Sequence, residues 1–155
     1  MEFGWINAAG GLIVVLILVP NIIYALQCPG GENKCRNAGM NLLEQVGRYG
    51  SMALMILPLG VWKFGFPNVA AMLVYFLGNG VLLITYWVFW ALYFRKVTRL
   101  RALTLAVVPT GIFLLSGLTL HHWLLVTAAG MFGVGHIYVT EKKRNKGLIL
   151  FLGNL

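Results

Sequence analysis

Aspartate does not occur in this chain, and only four of its 155 residues are acidic, all of them glutamate. Enzymes that hold metal ions with clustered Asp, among them phosphoryl-transfer and lipid-alcohol transferases, are disfavoured by that absence. Four carboxylates also leave little equipment for general acid–base work. The Gly-x-Ser-x-Gly elbow, the His-Glu-x-x-His zinc motif and the Walker A loop are missing as well. Charge of either sign is scarce. Only 10% of residues are charged, against roughly 25% in a soluble domain. Too few polar side chains remain to cover a water-facing globule.

Cysteine is nearly absent too. Cys28 and Cys35 are the only two, and a metal centre needs about four ligands. Their spacing fits neither a zinc knuckle nor a Cys-x-x-Cys redox motif. On the orientation argued below, both face the cytoplasm, where thiols stay reduced. They are expected to be ordinary thiols; an inverted topology would favour a disulfide. No metal and no cofactor is expected. A b-type haem would need two inward histidines at matched depth, and His136 lacks such a partner.

What the chain has instead is apolar length. Hydrophobic residues make up 59% of it and the mean hydropathy is +0.82. Crossing the hydrocarbon takes about 20 apolar residues in a helix, and five segments can be read: 8–26, 41–63, 68–94, 102–120 and 122–140. The first has no basic residue before it and no small-residue cleavage site after it, so it does not read as a signal peptide. Residues 27–40 (QCPGGENKCRNAGM) and 95–101 read as loops, and 141–155 as a basic tail whose apolar end is too short to cross. Asn41 with Glu44 suggests an N-terminal capping box for the second helix. Pro67 suggests the opening of the third. The fold expected is all-α: a single polytopic membrane bundle of about five helices.

Net charge is +8, and its location matters more than its size. The basic residues cluster at the ends of apolar runs, where they meet anionic headgroups. A nucleic-acid binder would carry them as a stripe on a folded face, so that partner is excluded. With five crossings, Lys34, Arg36, Arg48, the cluster Arg95-Lys96-Arg99-Arg101 and the four basic residues of the tail share one side, eleven of twelve; Lys63 alone lies opposite. Basic bias in short loops marks the cytoplasmic side. The N-terminus is therefore expected outside and the C-terminus inside, in a bacterial or archaeal plasma membrane. Trp5, Trp62 and Trp123 then fall at the outer interface, with Trp90 and Tyr93 at the inner one.

Polar residues inside apolar segments tend to face a cavity or a partner. Asn21 and Tyr24 of the first segment, Glu44 and Arg48 of the second and His136 of the fifth fall at similar depth near the cytoplasmic side. Glu44 and Arg48 are four apart on one helix face. These residues suggest a small vestibule open to the cytoplasm, with Asn21, Glu44, Arg48 and His136 as candidate ligand-binding groups. The plain alternative is an interfacial ion pair beside a hydrogen-bonded packing histidine.

Pro20, the Gly78-Asn79-Gly80 stretch and Pro109 mark expected kinks or breaks. Gly130, Gly133 and Gly135 would let a neighbouring helix approach, making the fifth helix central. His121-His122 is expected at the outer surface.

Three functions are compatible with this pattern. The leading one is a non-enzymatic protein that binds, transports or senses a small ligand or lipid, with homo-oligomerisation expected for transport. The second is an accessory or assembly subunit of a larger membrane complex, docked through the glycines of the fifth helix. The third is a membrane enzyme using His136 as base and Arg48 to hold an anionic substrate.

Overall fold

The computed structural model describes residues 4, 6–27, 37–57, 59–60 and 65–152, with side chains through 142. The described chain is a bundle of five helices: α1 (Ala8–Gln27), α2 (Ala38–Ile56), α3 (Val69–Arg95), α4 (Arg99–Thr119) and α5 (Trp123–Leu152). Four of the helices are long and apolar enough to cross a membrane, and the protein is a multi-pass membrane protein. The helix that falls short is α2, which carries Glu44 and Arg48.

Short polar side chains start the helices by accepting backbone N–H groups that have no partner within the helix. Asn7 takes the N–H of Gly10 at 3.0 Å, Asn68 that of Ala71 at 2.7 Å and Thr98 that of Arg101 at 3.4 Å. At α2 the cap is Asn37, bonded to the Met40 N–H at 3.3 Å, and not Asn41. Glu44 is thereby released from a capping box and points into the bundle. That helix ends at Ile56, short of the expected 63. In the other direction, α5 runs through the Glu141–Lys146 run to Leu152 instead of stopping at Thr140. Glu, Lys and Arg are good helix formers, so charge alone does not end a helix. The basic Arg99 and Arg101 likewise belong to the first turn of α4 rather than to a loop.

None of the three expected breaks interrupts its helix. Pro20 deprives the Leu16 carbonyl of its usual i+4 donor, and the indole N–H of Trp87 on α3 donates to that carbonyl at 3.1 Å. Asn79 is buried at 1% exposure, and its amide donates to the Ser116 hydroxyl of α4 at 3.1 Å. The Gly-Asn-Gly stretch is therefore a helix–helix contact.

Successive helices run in opposite directions. Asn7 at the start of α1 meets Met55 and Ile56 at the end of α2 and Tyr75 early in α3. At the opposite end Tyr24 of α1 packs on Trp90 of α3, and Arg99 of α4 pairs with Glu141 of α5. Around the bundle the order is α3, α4, α5, α2, with α1 seated between α2 and α3.

The most extensive contact joins α2 to α5. A Cβ on Gly135 would lie 2.7 Å from the Glu44 backbone nitrogen, and one on Gly47 would strike the backbone of Phe132. Each helix thus presents a glycine to the other's main chain. Gly133 faces Thr110 of α4, whereas Gly130 has open space. The most enclosed of the four apolar spans is α4, with 56% of an 18-residue stretch buried against 39% for the corresponding stretch of α5. Of the two, α4 is the more enclosed.

The core gathers Ile13, Ile17, Met55, Tyr75, Tyr86, Ile112, Phe113, Leu125 and Phe132. Leu12, Val15, Leu73, Leu77, Val81 and Ile84 point outward. An apolar exterior of this kind suits acyl chains.

Candidate functional site

Two polar clusters lie at opposite ends of the bundle. The one at the α1 N-terminal end is closed. Asn7 is fully buried; its amide donates to the Met55 carbonyl at 3.2 Å and to the Tyr75 hydroxyl at 3.4 Å. One turn along α3 from Tyr75, Asn79 bonds to Ser116. His122, expected at the surface, is fully buried there, with its Nδ1 accepting from the Leu125 N–H at 3.4 Å. The turn before it is tight enough to place His121 at a φ of 52°, which swings His121 outward and His122 inward. Burial lowers the pKa of His122, and a backbone contact with Leu57 opposes the shift in part.

The second cluster is open. It contains the four residues singled out from the sequence, and the fold brings all of them together. Glu44, 6% exposed, accepts hydrogen bonds from Arg48 on its own helix and from Nδ1 of His136 at 2.8 Å across the α2–α5 contact. The Gly135–Glu44 contact sets that geometry, because it brings the two helices close one residue before His136. Phe132 lies beneath both partners. Its ring stacks on His136 at 4.9 Å between centroids, and the Arg48 guanidinium sits 5.8 Å from the ring centre.

Asn21 approaches from α1. Its amide hydrogens go to the Ile17 carbonyl at 2.8 Å and the Tyr86 hydroxyl at 2.7 Å. Arg48, His136 and Asn21 line a cavity of about 630 Å³ together with Tyr24, Trp90, Tyr93, Thr98, Arg99 and Thr140. That size falls within the range of small-molecule sites. Asn21, Arg48, Leu105 and His136 also line a smaller chamber of about 60 Å³ deeper in the bundle, walled by Met52, Tyr86, Phe113 and Phe132. The shared residues border both spaces.

One wall of the mouth is aromatic. Tyr24 and Trp90 lie 5.4 Å apart and Trp90 and Tyr93 5.7 Å apart, centroid to centroid. The other wall is basic. Arg99 lines it while paired to Glu141 at 3.2 Å. Close by, Arg101 donates to the carbonyls of Leu92 and Lys96, both at 2.7 Å, and so holds the end of α3 to the start of α4.

Sequence reasoning missed Asn7, Tyr86 and Phe132. Asn7 precedes the first apolar run and reads as a loop residue. The other two sit among many apolar aromatics, and nothing in their spacing marks them. Cys28 and Cys35, with Trp5, Trp62 and Lys63, lie outside the described residues. No family model, curated protein or solved structure matches this chain.

Proposed function

We propose that this protein crosses the plasma membrane of a bacterium or archaeon five times and binds a small ligand, as a carrier or sensor, in the cavity at its basic end. The N-terminus is assigned outside and the C-terminus to the cytoplasm, following the basic residues. α2 is counted as a crossing although it is the least apolar helix. It lies antiparallel to α5 along most of its length, and its two charges are turned toward each other and His136.

The observation that carries the binding reading is the convergence of Asn21, Arg48 and His136 on one cavity under an aromatic wall. Intramembrane polar groups that face a cavity, and not one another alone, mark a ligand path. Of the three glycines behind the subunit reading, Gly133 and Gly135 are covered by Thr110 and Glu44 of the same chain, while Gly130 stays open to a partner. The enzyme reading keeps one supporting observation, the Glu44–His136 pair. A chemical change in the ligand that stops in His136→Gln would favour it.

Native mass spectrometry of the full chain, purified in mild detergent, tests the proposal. We expect a bound small molecule or lipid on the wild type, with its occupancy reduced at least about tenfold in Arg48→Ala, a loss worth roughly 1.4 kcal/mol. Equal occupancy in wild type, Arg48→Ala and His136→Ala would overturn it.

A further inference from the structure

We propose that the stretch of α1 beyond Pro20 is a hinged wall of the cavity, whose outward swing widens the mouth. The proposal rests on the binding reading and adds to it the moving part that admits the ligand.

Side chains stand in at the turn where Pro20 interrupts the main-chain bonding of α1. The proline has no N–H for the Leu16 carbonyl, which takes the indole N–H of Trp87 at 3.1 Å instead. The next carbonyl, that of Ile17, accepts the side-chain amide of Asn21 at 2.8 Å. A helix bends most readily at a proline and where a side chain enters its ladder of bonds. Both conditions meet at this turn. The helix continues across it, so the turn can pivot without coming apart.

The two halves of α1 are held differently. Before the proline, Gly10, Ile13, Val14 and Ile17 are buried. A Cβ on Gly10 would strike the Met55 carbonyl of α2, and the Asn7 amide ties the same end to α2 and α3. Beyond the proline, all seven residues of 21–27 are exposed. The anchors described there reach α3. The Asn21 amide bonds to the Tyr86 hydroxyl at 2.7 Å, and the Tyr24 ring packs on Trp90, Tyr93 and Phe94. One hydrogen bond and a set of ring contacts are exchanged more easily than an interlocked main chain.

The other walls are fixed. Gly47 and Gly135 interlock α2 with α5. The Asn79–Ser116 bond joins α3 to α4, as does Arg101 on the carbonyls of Leu92 and Lys96. Asn21 and Tyr24, the residues that α1 contributes to the cavity lining, are thus carried by its least secured wall. From Pro20 to Leu26 the helix rises about 9 Å, so a bend of about 20° moves Leu26 by about 3 Å. Giving up the Tyr86 and Trp90 contacts in this way opens the mouth, and hinge closure restores them.

Distances between spin labels, measured by double electron–electron resonance on the full chain in lipid nanodiscs, test this. Cys28→Ser and Cys35→Ser first remove the native thiols. One label pair, Leu26→Cys with Leu100→Cys, spans α1 and α4 beyond the hinge, and Leu12→Cys with Leu118→Cys spans the same helices before it; all four positions are exposed. We expect the 26–100 pair to show a second component longer by about 3 Å, and the 12–118 pair to show one narrow distance. Tyr86→Phe keeps the ring but removes the acceptor for Asn21, and should raise the longer component about twofold or more. Pro20→Ala returns the missing N–H and should narrow the 26–100 distribution. Simple fraying of the helix end would respond to neither variant. A 26–100 distribution as narrow as the 12–118 one, or one that neither variant moves, would overturn the hinge; Tyr86→Phe alone decides if Pro20→Ala does not fold. Native mass spectrometry of the same samples keeps the two readings apart. A bound molecule on a rigid α1 overturns the hinge and leaves the binding reading standing, whereas a moving α1 with no bound molecule supports the hinge and counts against binding.

Discussion

The two polar clusters differ in whether their side chains face open space. At the α1 N-terminal end Asn7, Tyr75, Asn79 and Ser116 are buried and hydrogen-bonded to one another or to backbone, so their polar groups are used up inside the fold. At the basic end Arg48, Asn21 and His136 are also anchored, but each still faces a cavity. A satisfied polar network stabilises one arrangement of helices. A partly satisfied one beside open space is poised for something else to complete it.

The most disruptive way to break this contrast is Gly135→Val. Its Cβ would meet the Glu44 backbone, which cannot swing aside, and overpacking of this kind costs about 3 kcal/mol. We expect loss of the monodisperse species on size-exclusion chromatography, or a large drop in Tm, together with loss of the bound ligand. Next comes Asn7→Ala, which removes a cap and a buried tie between helices for about 2 kcal/mol. Tm should fall while ligand occupancy at the far end persists. Loss of both would show that the ends are not independent.

The third test uses pH at the closed end. Burial lowers the pKa of His122 in the folded protein, so below about pH 6.5 the unfolded chain takes up a proton that the folded one resists. This contribution to stability is complete above the unfolded value and is lost as pH falls below it toward the folded value. We expect Tm to drop between about pH 7 and about pH 5, and His122→Asn to flatten that drop. The smallest effect belongs to Ser51→Ala. The Ser51 hydroxyl is buried with no hydrogen-bond partner among the described residues. Removing it should raise Tm slightly, by at most about 1 kcal/mol in stability; a clear fall would reveal a partner for it.

Depth was legible in the sequence, and azimuth was not. The positions of Asn21, Arg48 and His136 along their helices placed them at one level, but only the α2–α5 approach at Gly47 and Gly135 turns Glu44 toward His136. Helix boundaries were readable where caps and prolines punctuate them, as at Asn68. Charge does not mark them, since α4 begins at Arg99 and α5 continues beyond Thr140. Pro20 looked like a kink because nothing in its own segment shows that a tryptophan 67 positions along the chain would satisfy the carbonyl it frees. His122 looked external because its burial depends on a reversal of the backbone at His121.

The close match of α2 with α5 also bears on how the protein is made. On the five-crossing reading, α2 is the segment least able to enter lipid by its own apolarity, and its partner is synthesised some 80 residues later. Until α5 emerges, Glu44 and Arg48 have only each other for neutralisation, and the glycine face of α2 is uncovered. On that reading the second segment would complete its integration late, and a ribosome stalled before the fifth would leave it at the interface.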